Sequence, residues 1–451
     1  MEERNYLTLK DKLFYGVGDF ASNIFSVSVG SFVLVFLTNA VGLNPVIIGT
    51  IMGISRLLDG ITDVLFGSLI DRTQTKMGKA RPWMFWSTFL LGLFMVLNFT
   101  VPDLDGILPY AYFAVVYIVF NAICYTANNI AYSTLSALVT RNPKERVFLG
   151  TVRYIFAFVS VMIVSGFMMN IVNYFGGDSS TKAWRSTAIV LSTVAIIINT
   201  ISVLMVKELP PEDSKEKSEE KPSVNLVSAI KLLVTNKYYL YVVGIYISFY
   251  LATGILGGFG VYFTQYALEN VNLMQPFSIA TNMPTILALF FVPILVSKFG
   301  IYKTNKIGML CAAIASIVAV VCGLSHIVPA LVICLAVRSM CSASLMGTLN
   351  AVIARIAEYV YKKDGVHIEG SMFSCSSMGI KLGGGLGSAL CGWMLGIAKF
   401  DSALTVQSAY TNNVITLTYC LIPAIFFCVI AVLTRGLDIE QAINKIDSAD
   451  M

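Results

Sequence analysis

Three charged residues stand in the middle of a long apolar stretch, residues 46 to 70: Arg56, Asp59 and Asp63. At 100° per residue of an α-helix, these side chains project from one face. Each such charge costs about 2.5 to 3.5 kcal/mol at the centre of a bilayer, so this face is expected to line the interior of a helix bundle. Carboxylates one turn apart can share a small cation, which makes Na+, Li+ or H+ the candidate ligand. In the competing interpretation Arg56 only neutralises one carboxylate for packing, which leaves the second without an evident partner.

A second polar set is typical of a small-molecule cavity. One predicted helix carries Asp19, Ser22, Asn23 and Ser26 at successive one-turn positions. Two later helices carry Asn121, Tyr125, Thr126, Asn128 and Asn129, then Arg153 and Tyr154. Amides and hydroxyls beside aromatic rings suit a sugar, which offers hydroxyls to bond and an apolar ring face to stack. The alternative for any single residue is hydrogen bonding between helices.

A lysine follows in a glycine-rich apolar stretch near the C-terminus, Lys381. A lysine inside a membrane requires an anionic partner. We therefore predict that Lys381 approaches the carboxylates of residues 59 and 63 or an anionic group of the substrate. The adjacent glycines lack the spacing of a phosphate-binding loop and favour close helix packing.

The elements that position these residues are membrane helices. The chain has 451 residues, of which 56% are hydrophobic and 13% charged, and its mean hydropathy is +0.75. This composition excludes a single soluble domain and is typical of a polytopic membrane protein. We predict twelve transmembrane helices, at residues 12 to 39, 45 to 70, 83 to 101, 108 to 138, 147 to 174, 184 to 206, 238 to 267, 275 to 298, 303 to 324, 328 to 359, 370 to 398 and 411 to 434.

Lys and Arg are concentrated in alternate loops, which indicates cytoplasmic N- and C-termini in a cell membrane. This loop bias explains the net charge of +5, so no nucleic-acid partner is indicated. The polar stretch that begins at residue 207 separates six spans from six. We predict an N-terminal half at residues 1 to 206, a cytoplasmic linker at 207 to 237, a C-terminal half at 238 to 435 and a cytoplasmic tail at 436 to 451. This is the all-α major facilitator arrangement, and a monomer is expected.

Four sequence motifs show that the chain resembles the glycoside, pentoside and hexuronide cation symporter family. They are YGVGD at residues 15 to 19, RLLDGITDVLFG at 56 to 67, DRTQTKMGKARPW at 71 to 83, and AEY at 357 to 359 followed by EGSMFS. The resemblance covers essentially the whole chain. It implies a major facilitator fold, a sugar substrate and a coupling cation.

The resemblance also implies roles for individual residues. Asp59 and Asp63 match the family's cation-coordinating carboxylates, and Thr126 matches a hydroxyl near them. Thr62 stands where a sodium-using member has an asparagine, which leaves Na+ or H+ open. The sugar cavity of the family is matched by Tyr125, Arg153, Ser377 and Lys381.

Three positions depart from the galactoside-transporting members. Asn23 and Asn129 replace two aspartates that bind galactoside hydroxyls, and Ser133 replaces a stacking tryptophan. Because amides do not repel an anion and Arg153 and Lys381 are retained, a hexuronide or a xyloside is at least as plausible as a galactoside.

The leading hypothesis is secondary active transport of a sugar by alternating access, with no enzymatic activity and no organic cofactor. A lysolipid carrier of the same fold is an alternative. A remote alternative is an intramembrane aspartyl protease, suggested by GVGD at residues 16 to 19 and PAL at 329 to 331. The sequence contains no nucleotide-binding GxxxxGK[ST] motif, so the driving force is expected to be an ion or substrate gradient.

Overall fold

The computed structural model describes residues 6 to 103, 105 to 140, 142 to 209, 235 to 364, 369 to 404, 406 to 440 and 442 to 443. It is built from helices throughout these ranges. They are α1 (Leu9–Val35), α2 (Pro45–Arg72), α3 (Arg81–Asn98), α4 (Leu108–Ile118), α5 (Thr126–Leu138), α6 (Pro143–Tyr174), α7 (Thr181–Met205), α8 (Lys237–Tyr262), α9 (Met274–Phe299), α10 (Ile301–Leu324), α11 (Val328–Asp364), α12 (Glu369–Ile397) and α13 (Ala409–Arg435).

The helices begin at the residues that supply their caps. Thr8 accepts a hydrogen bond from the amide of Asp11, and Asp11 accepts one from the amide of Thr8, which forms a capping box at the start of α1. Asn44 caps α2, and Pro45 occupies its first turn. Both arrangements satisfy or remove amides that have no partner within the helix.

Three π-helical segments interrupt the described helices. Phe36–Ala40 continues α1, Val119–Tyr125 joins α4 to α5, and Phe263–Ala267 continues α8. A π-helical turn inserts one extra residue per turn and is frequent at functional sites.

The twelve predicted spans correspond to helices at the predicted positions. Within the described residues, ten helices are long and apolar enough to cross a membrane. The other two are α2, which carries the charged face, and α3. The protein is therefore an all-α, multi-pass membrane protein, as predicted.

The structure divides into two compact units that do not follow the chain order. The first contains Met1–Pro210, Ile255–Asn282 and Ser388–Thr416, and the second contains Pro211–Gly254, Met283–Gly387 and Leu417–Met451. In the first, α1 packs against α6 and α7. In the second, α10 packs against α11. The predicted boundaries between the halves, the linker and the tail remain predictions.

Candidate functional site

A partly buried ion pair organises the polar residues of the first unit. Arg153 on α6 donates from Nε to Oδ1 of Asp19 on α1, at 3.1 Å. Its two terminal nitrogens donate to α5, from Nη1 to Ser133 Oγ at 2.9 Å and from Nη2 to Asn129 Oδ1 at 2.7 Å. All three guanidinium nitrogens therefore have an acceptor, and three helices are joined through one side chain.

Two tyrosine rings support this arginine. The Arg153 guanidinium lies 5.0 Å from the centroid of the Tyr132 ring, and the rings of Tyr132 and Tyr15 stack at 4.5 Å. Each tyrosine hydroxyl donates to the backbone carbonyl of the other residue. A cation over an aromatic face is stabilised by the ring quadrupole, so the rings help to fix the orientation of the guanidinium.

Gly18 allows α1 to pack closely against α5 and α7. A Cβ at Gly18 would lie 2.5 Å from Ser202 Oγ and 2.9 Å from Tyr132 Cε2, closer than side-chain atoms normally approach. Replacement of Gly18 by a larger residue would push α1 away from α5 and α7. This gives the YGVGD motif a packing reason as well as a chemical one.

Asn23 completes the arrangement around Asp19. Its Nδ2 donates to Asp19 Oδ2 at 3.0 Å and to the Asp19 carbonyl at 2.8 Å. Asn23 and Asn129 are both half-buried. Their contacts with the described residues use one end of each amide, which leaves the Asn23 Oδ1 acceptor and the Asn129 Nδ2 donor for a bound molecule.

Other polar residues of the predicted cavity set serve packing. Ser22 is buried and donates to Asn128 Oδ1 at 2.9 Å. Asn128 is also buried and donates to Ser87 Oγ on α3, again at 2.9 Å. The expectation that the whole stripe from Asp19 to Ser26 faces a cavity is therefore wrong for Ser22, because this hydroxyl is enclosed between α1 and α5.

The charged face of α2 also has a paired carboxylate. Asp59 is 5% exposed, and Arg56 Nη1 lies 3.5 Å from its Oδ2. Asp63 and Thr62 are half-buried one turn further along. The Thr62 hydroxyl donates to the Asp59 carbonyl at 3.2 Å, so its oxygen lies against the backbone of α2.

Thr126 lies where a π-helical segment meets α5. It is buried, and its hydroxyl donates to the Asn121 carbonyl at 3.2 Å. The π-helical segment and α5 both pack against α2. The helix that carries Asp59 and Asp63 and the helix that carries Thr126 are therefore neighbours.

The structure gives fewer contacts for the last three predicted site residues, Tyr125, Ser377 and Lys381. Tyr125 is half-buried at the end of the same π-helical segment. Lys381 and Ser377 both lie on α12, in the second unit. Lys381 is half-buried, and the Ser377 side chain lies outside the described residues. The predicted approach of Lys381 to the carboxylates stays a prediction.

Sequence reasoning missed Tyr132, and it identified Ser133 only as the replacement for a tryptophan and not as a partner of Arg153. Ser133 lies one helical turn after Asn129, so both can face the same guanidinium. This spacing, together with the need of a membrane arginine for several acceptors, was the signal that could have identified Ser133 as a partner.

An all-α, multi-pass fold with a polar site among its helices is the architecture of many membrane transporters. A family model described as MFS/sugar transport protein matches residues 14 to 441, and the chain belongs to this family. It is a secondary transporter and not an enzyme, so the protease alternative is set aside.

Individual relatives agree with this assignment. The isoprimeverose transporter of Lactiplantibacillus pentosus is 28% identical over 94% of this chain and 87% of its own length. The inner membrane symporter YicJ of Escherichia coli (strain K12) is 27% identical over 95% of this chain and 91% of its own length. Among solved structures, a mutant of the nucleoside transporter NupG matches with a TM-score of 0.65 at 15% identity, over 95% of this chain and 100% of that one.

Proposed function

We propose that this protein couples the movement of a monovalent cation, Na+ or H+, to the uptake of a glycoside, pentoside or hexuronide. The observation that carries the proposal is the Arg153 network. It holds Asn23 and Asn129 so that an acceptor and a donor remain for a ligand. A sugar hydroxyl both donates and accepts, so this pair suits its recognition.

The sugar site is proposed to comprise Asp19, Asn23, Tyr125, Asn129 and Arg153 from the N-terminal half. Ser377 and Lys381 are proposed as further sugar-binding residues because the family resemblance implies them. The half-buried positions of Asn23, Asn129 and Arg153 support access of a solute to their polar ends.

The cation site is proposed at Asp59 and Asp63, with oxygens from Thr62 and Thr126 nearby. Carboxylate and hydroxyl oxygens are hard ligands that suit Na+ or Li+, and a carboxylate can bind H+ instead. Arg56 supplies a local counter-charge to Asp59 at 3.5 Å. Cation binding would therefore change the net charge of a buried face, which gives the ion a means to bias the conformation.

The setting is proposed to be the cell membrane, with both termini in the cytoplasm and the protein active as a monomer. The orientation rests on the distribution of Lys and Arg among the loops.

The test is uptake by the purified protein in proteoliposomes. A panel of labelled glycosides, xylosides and hexuronides is offered with an inward Na+ gradient, a pH gradient, or neither. We expect concentrative uptake of at least one sugar under one of the two gradients, and its loss in Asp59→Asn and Asp63→Asn. The matched control is Asp103→Asn, which removes an exposed loop carboxylate.

Gradient-driven uptake that survives both substitutions would contradict the cation site. Uptake of a lysolipid, with no sugar transported, would replace the sugar assignment with the amphiphile carrier.

A further inference from the structure

We infer that Asp19 sets the charge preference of the sugar site, so that the protein selects uncharged sugars over sugar acids. The inference rests on the proposed function, because it concerns the substrate of that same site. Its basis is that Arg153, the basic residue of the proposed sugar site in this unit, is already paired with Asp19. A sugar carboxylate would otherwise engage this arginine.

Three of the five N–H donors of the Arg153 guanidinium already have an acceptor in the structure, one on each nitrogen. Asp19 neutralises the charge at 3.1 Å, and Asn129 and Ser133 accept from the other two nitrogens. Asp19 is 5% exposed and also accepts from Asn23 Nδ2. A sugar carboxylate that engages Arg153 would therefore have to displace a buried, hydrogen-bonded carboxylate or use the remaining N–H groups beside it.

Both alternatives are unfavourable. Displacement would leave Asp19 as a buried charge with its ionic partner removed, which is strongly destabilising. Placement of two carboxylates side by side is opposed by like-charge repulsion, which water screens poorly at a buried site. An uncharged sugar avoids both costs, because its hydroxyls can use Asn23 Oδ1 and Asn129 Nδ2 while the ion pair stays intact.

The experiment uses a matched pair of competitors that differ in charge and hardly in shape: methyl β-D-glucuronide and methyl β-D-glucuronamide. Each is tested for inhibition of the uptake of whichever labelled neutral sugar the proteoliposomes accumulate. We expect wild-type protein to bind the amide at least about tenfold more tightly than the acid. Asp19→Asn should reduce this preference or invert it, because Arg153 then lacks an anionic partner.

Asp19→Glu is the control, since it keeps the charge and should keep the preference for the amide. Wild-type protein that binds the acid as well as the amide would overturn the inference, even if Asp19→Asn fails to fold. An unchanged preference in a folded Asp19→Asn protein would also overturn it. Failure of the proposed function has a different signature, because no neutral sugar would then be accumulated at all.

A second inference rests on an independent feature, the π-helical ends of α1 and α8. Thr38 and Asn39 lie in the first of these segments, and Thr264 and Gln265 lie in the second. Thr38 lies 26 residues after residue 12, where the first predicted span begins, and Thr264 lies 26 residues after residue 238, where the seventh begins. The two segments therefore occupy equivalent positions in the predicted six-helix halves.

Both amides donate to one carboxylate oxygen. Asn39 Nδ2 lies 3.0 Å from Asp178 Oδ2, and Gln265 Nε2 lies 2.6 Å from the same atom. Trp184 Nε1 donates to the Asp178 carbonyl at 2.7 Å, which fixes the loop that carries this residue. The preceding Gly177 has a φ of 91°, a left-handed conformation that favours glycine.

Further contacts join the ends of α1 and α8 directly. The hydroxyls of Thr38 and Tyr262 lie 2.7 Å apart, and Asn39 also donates to the Tyr266 hydroxyl at 2.8 Å. These bonds lie at the end of α1 that is remote from its N-terminus. We propose that Asn39, Asp178 and Gln265 form a latch that opens once in each transport cycle.

The test is reversible cross-linking in a transport-competent background without native cysteines. Asn39→Cys with Gln265→Cys is treated with a short thiol-specific cross-linker, and uptake is measured before and after reduction. We expect cross-linking to stop uptake and reduction to restore it. Asn44→Cys with Tyr110→Cys is the control, because these exposed or half-buried residues pair between α2 and α4 in one half and their cross-link should leave uptake intact.

Full uptake by cross-linked Asn39→Cys, Gln265→Cys protein would overturn the latch. Failure of this pair to cross-link, in a protein whose control pair does, would overturn it as well.

Discussion

Two buried aspartates of the first unit each face an arginine, but the two pairs differ in geometry. Asp19 accepts from Arg153 Nε at 3.1 Å and from Asn23 Nδ2 at 3.0 Å. Asp59 lies at a longer distance from its arginine, 3.5 Å from Arg56 Nη1. A short, directed hydrogen bond fixes a carboxylate, whereas a longer ionic contact leaves it more easily reorganised.

This difference favours a division of roles. The Asp19 pair orients amides that can bind a sugar, and its charge is balanced within the network. The Asp59 pair lies on a helix with a second carboxylate, Asp63, and an entering cation would compete with an arginine contact of 3.5 Å. The two geometries therefore favour orientation of the sugar site as the role of Asp19 and ion exchange as the role of Asp59.

The largest effect is expected from replacement of Asp59, which should separate ion exchange from sugar binding. Asp59→Asn should abolish concentrative uptake while the variant still binds the sugar, because the ion site is lost and the Arg153 network is intact. Sugar binding is measured by calorimetry or by fluorescence, and accumulation is measured in proteoliposomes. Simultaneous loss of sugar binding and accumulation in a folded Asp59→Asn variant would contradict the division of roles between Asp19 and Asp59.

The next largest effect is expected from replacement of Arg153, the arginine that pairs with Asp19. Arg153→Gln should weaken sugar binding by roughly 10- to 100-fold, since charge-assisted hydrogen bonds contribute about 1.5 to 3 kcal/mol. Arg153→Lys tests the geometry, because one ammonium group cannot serve three separate acceptors in the same way. An unchanged dissociation constant for both variants would show that the network does not orient the sugar site.

A smaller effect is expected at Thr62. Thr62→Asn introduces a carbonyl oxygen beside Asp59 and should increase the stimulation of uptake by Na+ relative to H+ by a few-fold, about 1 kcal/mol or less. The measurement is uptake as a function of Na+ concentration at two pH values. Thr50→Asn, on the same helix but further from the carboxylates, is the control. Equal shifts in both variants would remove Thr62 from the cation site.

The smallest effect is expected at a carboxylate outside the membrane. Glu145 accepts hydrogen bonds from Thr140 Oγ1 at 2.6 Å and from the amides of Tyr6 and Leu7, and it pairs with Lys12 at 3.1 Å. Burial opposes ionisation of Glu145, but these donors together hold its pKa below its usual range. Glu145 is therefore, like Asp19, a carboxylate whose orientation is fixed by several hydrogen bonds and an ion pair.

Because the folded-state pKa is lowered, this stabilisation is present above the unfolded pKa of about 4.3 and is lost as the pH falls through the folded value. Glu145→Gln should therefore lower the Tm by a few degrees, about 2 to 4 °C, at neutral pH. The difference from wild type should shrink below about pH 4. A Tm difference that is constant across this range would indicate a loss of shape and not of charge.

Much of the fold could be predicted from the sequence. Hydrophobic length is a local property, so the twelve spans and the charged face of α2 follow from the order of residues alone. The acidic pair and Arg153 could be identified for the same reason, because a charge inside an apolar span is conspicuous without any knowledge of its partners.

The roles of neighbouring polar residues could not be predicted in this way. Ser22 and Asn23 are adjacent, yet the first is buried in a contact with α5 and the second is half-buried beside Asp19. Asn128 and Asn129 differ in the same manner, since one bonds α3 and the other bonds Arg153. The sequence by itself determined which residues form helices and which of them carry charge. Only the tertiary structure decided which polar atoms are consumed in packing and which remain for a ligand, because each of those hydrogen bonds depends on groups brought together from distant parts of the chain.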